Sequence, residues 1–541
     1  MKLRHTILIF IIALAAPLRA AHAGEAGATS KIQLDKGLGN LHWPVTTKNA
    51  DAQRWFDQGM RYVYAFNHEQ AVASFKKATE VDPDLALGYW GAALALGPNI
   101  NMDVDPEREK QAFDAVHAAQ SHASHASKKE QDLIAALVRR YSDDPGADLK
   151  KLAANYSVAM HDVYAKYPND DNIGTLYAES LMDLHPWKFW SHDGKPNEGT
   201  EEIVRVLEGV LKRNPNHIGA NHYYIHAVEA SSHPERAAKS AERLKMLAPS
   251  AGHLVHMPAH ILERTGDFAG AAAANAAGAK ADRAFMSKYG AESMYAGMYY
   301  NHNLDFGATS YMMIGDFAHA KEAADEVSSN AAKMAAMMPM IEGASSDSLK
   351  VLLRFGKWND VIEGKFETPG PMSTAWLHFA RGVAFARLGN IDGAESERKA
   401  FDDARSKISA EETGVFQNPE QKVLDVAAEV LNGRLATARG DHAAAIAAYR
   451  KAVAAEDALD YDEPADWFYP TRESLGAALL RDKQYAEAEK VFREDLERNK
   501  NNPRSLYGLS RALKAQKKDA SSQTAQFAKL WRGTAIRIED L

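Results

Sequence analysis

A pattern of small and large residues recurs along this chain at fixed offsets, and it restricts the fold more than any other feature. Trp55, Gly59, Tyr62, Ala71, Phe75, Ala78 and Pro83 stand at mutual spacings of 4, 3, 9, 4, 3 and 5. The pattern returns as Gly382, Phe385 and Ala394, as Gly433, Ala445, Tyr449 and Ala452, and as Gly476, Ala488 and Phe492. A degenerate copy reads Gly508, Ala520 and Phe527, and Gly266-Asp267-Phe268-Ala269 and Gly315-Asp316-Phe317-Ala318 have the form of turns between its halves. Runs such as Ala271 to Ala274 favour helix, and no stretch alternates with the period of 2 that a sheet would need. At 541 residues the chain exceeds one ordinary core, so several domains or a repeat array is expected.

These residues resemble the tetratricopeptide repeat, a helix–turn–helix unit of about 34 residues. The resemblance covers most of residues 50–535, with clear copies at both ends and looser ones between. It implies an all-α, right-handed solenoid of antiparallel helix pairs. Gly59 and Ala71 would be small where the two helices of a pair cross, Trp55, Tyr62 and Phe75 would fill the gaps, and Pro83 would end the unit. It also implies that the first helices of successive pairs line a concave groove, where a peptide or protein segment is the expected partner. Residues 49–367 and 372–541 are expected to form an N-terminal and a C-terminal set of repeats, separated at Thr368-Pro369-Gly370-Pro371.

The beginning of the chain has the form of an export signal. Lys2 and Arg4 precede an apolar run from Ile7 to Leu18, and Ala21-His22-Ala23 offers a small-x-small cleavage site. Residues 1–23 are expected to be a signal peptide, residues 24–48 an extended arm, and the mature protein periplasmic. The apolar run is too short for a membrane span, and no other stretch approaches the ~20 apolar residues a span needs. The net charge of −8, which becomes −11 when Lys2, Arg4 and Arg19 are removed, argues against nucleic acid as a partner. With no cysteine, disulfides and thiolate metal sites are excluded.

Histidine is concentrated in the middle. Seven of the chain's 21 histidines fall between His217 and His260. On a helix His222, His226 and Glu229 share one face, as do His253, His256 and His260. Helices are expected after Pro215, Pro249 and Gly290, which places His222, His253 and His302 near the starts of three successive first helices. Counted back from the turns, His222 is displaced by one from the other two. Neutral imidazole is the commonest protein ligand for zinc, copper, nickel and iron, so the metal-ligand candidates are His222, His226, His253, His256, His260 and His302. Four would complete a site: His222, His226 and His253 with His256 or His260, and His302 next. Glu229 is a candidate ligand, outer partner of an imidazole, or general base on a metal-bound water, and so the one catalytic candidate. Zinc suits three histidines plus a carboxylate or an open position, and copper is the rival, given Met257 and the cluster Met334, Met337, Met338 and Met340. Those four methionines also suit a packed helix face. Pro258 is expected to kink its helix and turn His260 inward.

Other features are weaker. His117, His122 and His125 fit a solvated face. The loop holding Asp183, His185, Trp187, Trp190 and His192 could cover the histidines or cap a repeat. Glu463-Pro464-Ala465-Asp466-Trp467 suits either a ligand groove or ordinary repeat packing. No Gly-rich phosphate loop, Gly-x-Ser-x-Gly elbow or dinucleotide fingerprint is present. Two functions stand against each other: a metal-dependent enzyme or carrier, and a metal-free scaffold for an exported peptide.

Overall fold

The computed structural model describes residues 32–291, 293–409 and 417–541. The expected signal peptide and its cleavage site lie outside the described residues. Helices follow one another throughout, and among the described residues the only β-type pairings are the isolated bridges Asn99–Met102 and Trp190–Pro196. The chain is an all-α helical-repeat solenoid.

The first pair shows how the sequence pattern works. Helices Ala50–Val63 and His68–Val81 lie antiparallel, and Ala86–Leu96 starts the next pair. The fully buried Phe75 ring lies between two glycines: a Cβ on Gly59 would stand 2.5 Å from it, and one on Gly91 2.4 Å. The C-terminal repeats use the same device. Tyr449 lies against Gly433, and Phe492 is held between Gly476 and Gly508. A larger residue at any of these glycines would overpack the crossing.

The turns within pairs have a common chemistry. A left-handed glycine is followed by an acidic or amide residue that caps the second helix. Gly266, Gly315, Gly389 and Gly440 have φ of 82°, 83°, 78° and 75°. Asp267, Asp316, Asn390 and Asp441 each accept a hydrogen bond from the backbone N–H three residues on. The last two pairs, with Lys483 and Lys517 left-handed at φ 60° and 59°, and the first pair depart from this. In the first pair the left-handed position is Phe66, with φ 56°, followed by the cap Asn67.

The array coils tightly enough for distant repeats to touch. The arm residue Trp43 is buried against Phe56 and Trp90. Asn501 Nδ2 donates to the Gly266 carbonyl at 3.3 Å, and the Arg532 N–H to that of Ile314 at 2.8 Å. The buried Arg354 donates to Glu473 at 2.5 and 2.9 Å. The middle repeats are thus enclosed by both ends of the chain.

Candidate metal centre

Three successive first helices bring the histidines together. Ile218–Glu229 carries His222 and His226. The next is broken at Met257 into Gly252–His256 and Pro258–Arg264, with His253 and His256 before the break and His260 after it. His260 is buried, as expected for a proline-turned helix. The third, Asn301–Ile314, carries His302 and is entered through a π-helical turn at Ala296–Tyr300. His222, His226, His253, His256, His260 and Glu229 are each no more than 2 % exposed, and His302 is half-buried.

One nitrogen each from His222, His226 and His253 lies within 4.8 Å of the others; the same holds for His256, His260 and His302. In the first group the Nε2 atom of His222 is 3.1 Å from that of His226 and 3.0 Å from that of His253. Donors bound at 2.0–2.1 Å around a tetrahedral ion stand about 3.3 Å apart, so these nitrogens are nearly spaced for one ion.

The outer nitrogens fix which inner ones bear lone pairs. His222 Nδ1 donates to the Tyr64 carbonyl at 2.8 Å, and His226 Nδ1 to the Glu229 carboxylate at 2.9 Å. Burial, reinforced for His222 by neighbouring imidazoles, pushes both pKa values down and favours the neutral form of both rings. A neutral ring that donates through Nδ1 has only a lone pair at Nε2. With both rings in that form, the two Nε2 lone pairs face each other at 3.1 Å. A proton on His253 Nε2 would satisfy one of them; a cation would satisfy all three nitrogens.

The second group is similar. His256 Nδ1 lies 2.8 Å from Asn275 Oδ1, and its Nε2 faces His260 Nε2 at 3.0 Å. His260 Nδ1 lies 2.6 Å from Glu229 and 2.9 Å from Glu463. Burial pushes the His260 pKa down, but the two carboxylates outweigh it and raise it to about 10. Burial acts the other way on Glu229, yet His260 and His226 hold it well below the usual carboxylate range. Without metal, His260 is therefore an imidazolium that can donate to His256.

The remaining sequence candidates are placed plainly. His217 caps its helix, accepting from the Ala220 N–H at 3.0 Å, and His233 is exposed and paired with Glu235. Met334 and Met338 pack against Gly297, while Met337 and Met340 are exposed. His125 is exposed, and His122 stacks on Tyr89. The loop after Met182 does cover the site: the Trp187 ring lies 5.5 Å from that of His226. Two contributors escape sequence reasoning. Glu463 comes from a distant loop whose acidic and aromatic residues were a signal without an address. Phe66 lies 4.5 Å from His222, 5.4 Å from His253 and 6.0 Å from His226, ring to ring. Its only sequence signal is an aromatic residue at a turn position where four other pairs have glycine.

A tetratricopeptide-repeat family model matches residues 52–85, the segment of the Trp55-to-Pro83 pattern. No curated protein matches the sequence. Solved structures similar to the chain include yeast Tom70, at 11 % identity over 90 % of this chain and 93 % of that one with a TM-score of 0.30. The human IFIT1 dimer with m7Gppp-AAAA aligns at 14 % identity over 90 % and 91 % with a TM-score of 0.34. The Cut9–Hcn1 hetero-tetramer of APC/C aligns at 12 % over 90 % and 94 % with a TM-score of 0.29.

Proposed function

We propose that this tetratricopeptide-like array is an exported, periplasmic metalloprotein that holds a transition metal, zinc or copper, on the buried imidazoles of its middle repeats. The observation that carries the reading is the convergence of three buried imidazoles, with His222 Nε2 3.1 Å from that of His226 and 3.0 Å from that of His253 while the outer nitrogens of His222 and His226 are engaged by Tyr64 and Glu229. A cation would engage all three nitrogens at once, whereas a single proton among them satisfies only one contact. The N-terminal signal pattern supports the location.

The ion is resident rather than cargo. Its donors lie beneath Phe66 and Trp187, and their outer nitrogens are already oriented by Tyr64 and Glu229. Such outer partners stiffen a site for retention. Glu229 has both oxygens engaged by imidazoles, so its role is positioning rather than general base.

The test is elemental analysis of protein purified from the periplasm without chelators or a histidine tag. Stoichiometric zinc or copper is expected, and the His222→Ala/His253→Ala double variant should lose the metal held by those imidazoles while retaining its helical circular dichroism. Wild-type protein that is metal-free and takes up none on dialysis would overturn the reading.

The partner-binding alternative has one observation in its favour. A cavity of about 440 Å³ between the middle and C-terminal repeats is lined by Arg354, Lys357, Arg434 and Arg504. Residues near the end of the chain already lie there, with Arg434 donating to the Leu541 carbonyl at 3.1 Å. A partner segment would have to displace them. Co-purification of a stoichiometric peptide with metal-free protein would favour this alternative.

A further inference from the structure

The six histidines are two copies of one arrangement. His256, His260 and Glu263 follow His222, His226 and Glu229 by 34 residues each. That is the length of one tetratricopeptide unit. Each i, i+4 pair is completed by a histidine from the next repeat: His253 for the first pair, His302 for the second. His253 and His302 both lie 13 residues before the left-handed glycine of their turns, Gly266 and Gly315. Moving along the array by one repeat therefore carries the first trio onto the second.

The two pairs agree in their main contacts. Within each pair the Nε2 atoms face each other, at 3.1 Å in the first and 3.0 Å in the second. The first member of each pair has its Nδ1 on a neutral oxygen, the Tyr64 carbonyl or Asn275 Oδ1. The second member has its Nδ1 on Glu229, one oxygen each, at 2.9 Å for His226 and 2.6 Å for His260. The trios share no ligand, but they share this carboxylate.

We infer that the centre is dinuclear, with one ion on His222, His226 and His253, a second on His256, His260 and His302, and Glu229 setting the two in register. The inference rests on the metal reading above and deepens it. Three donors per ion leave a coordination position open on each. A single small cavity, of about 10 Å³, is lined by His226 and His253 of the first trio and by His260 and His302 of the second. Trp187, Met298 and Tyr299 close its other sides. That volume is about what one water molecule requires. The ligand the two ions share is thus of the smallest class, a hydroxide or a dioxygen-sized molecule, and an organic substrate cannot enter between them. The Glu229 and Glu463 carboxyl groups both face the outer nitrogen of His260, and Glu463 also lines the cavity.

The experiment is a metal count on the full mature chain. Metal-free protein is titrated with Co²⁺, followed by its visible absorption, and with Zn²⁺ by equilibrium dialysis. Wild type is expected to saturate at two equivalents, and His253→Ala and His302→Gln at one each. One equivalent in the wild type, with the His302→Gln variant still binding one, would overturn the dinuclear assignment and leave the metal reading standing. No binding would overturn both. The wild-type count decides the matter even if either variant fails to fold.

Discussion

Glu229 meets two imidazoles with its two oxygens and is almost fully buried between them. An amide in its place keeps one acceptor and turns an N–H₂ group towards a ring N–H. We therefore expect Glu229→Gln to weaken metal binding about 10–100-fold, the usual effect of losing an outer partner of a metal ligand. Competition with a chromophoric chelator would measure it, and unchanged affinity would remove Glu229 from the site's design. His222, His226 and Glu229 were legible in the sequence because i, i+4 and i+7 is a helical face. Glu463 was not, since nothing local in a loop more than 200 residues downstream says which imidazole it will meet. By position in its helix His222 corresponds to His256, three residues beyond the His253 that counting back from the turns sets beside it. The offset arises at the intervening turn at Ser232-His233-Pro234, which lacks the glycine that marks the next two and runs into a 3₁₀ turn.

At the scale of elements, the Phe66 turn sets packing against backbone preference. A non-glycine residue at φ 56° is disfavoured, yet here it places an aromatic ring over three imidazoles. Removing the ring will destabilise the fold whatever replaces it. The comparison of two truncations isolates the backbone: Phe66→Gly should be more stable than Phe66→Ala by about 1 kcal/mol, because only alanine pays for a left-handed Cβ. Chemical denaturation measures the difference, and an alanine variant as stable as the glycine one would deny the strain. Helix pairs, turns and the break at Pro258 could be read from the sequence, since each is written in local residues. The π-helical turn that delivers His302 could not, because Ala296 to Tyr300 has no composition that distinguishes it from an α-helix.

At the scale of the whole molecule, buried groups of opposite kind set the pH range of stability. Burial raises the carboxyl of Glu263 from 4.5 to about 8 and those of Glu420 and Glu456 to about 7. The folded chain then holds protons that the unfolded chain has released, so stability falls as pH rises from about 4.5 to 8. Burial lowers His68 and His217 from 6.5 to about 4, and here the unfolded chain binds the extra protons. Stability therefore also falls as pH drops from 6.5 to 4. The two trends oppose each other between about pH 4.5 and 6.5 and act alone outside it. Metal-free protein should show a plateau of melting temperature in that window with a decline on both sides; a steady rise from pH 5 to 8 would contradict it. The closure of the coil was the least legible feature, because small rotations summed over many repeats decide which distant turns meet.

That closure changes what kind of object the array is. A string of repeats joined only to their neighbours can be shortened from an end, one unit at a time, with the rest undisturbed. Here the Glu463 loop reaches back to His260, and Asn501 to Gly266. The strand is buckled upon itself, and the clasp sits at the imidazoles. Removing C-terminal units would therefore strip partners from His260 and from the Gly266 turn, so shortening this chain at its end disturbs its centre.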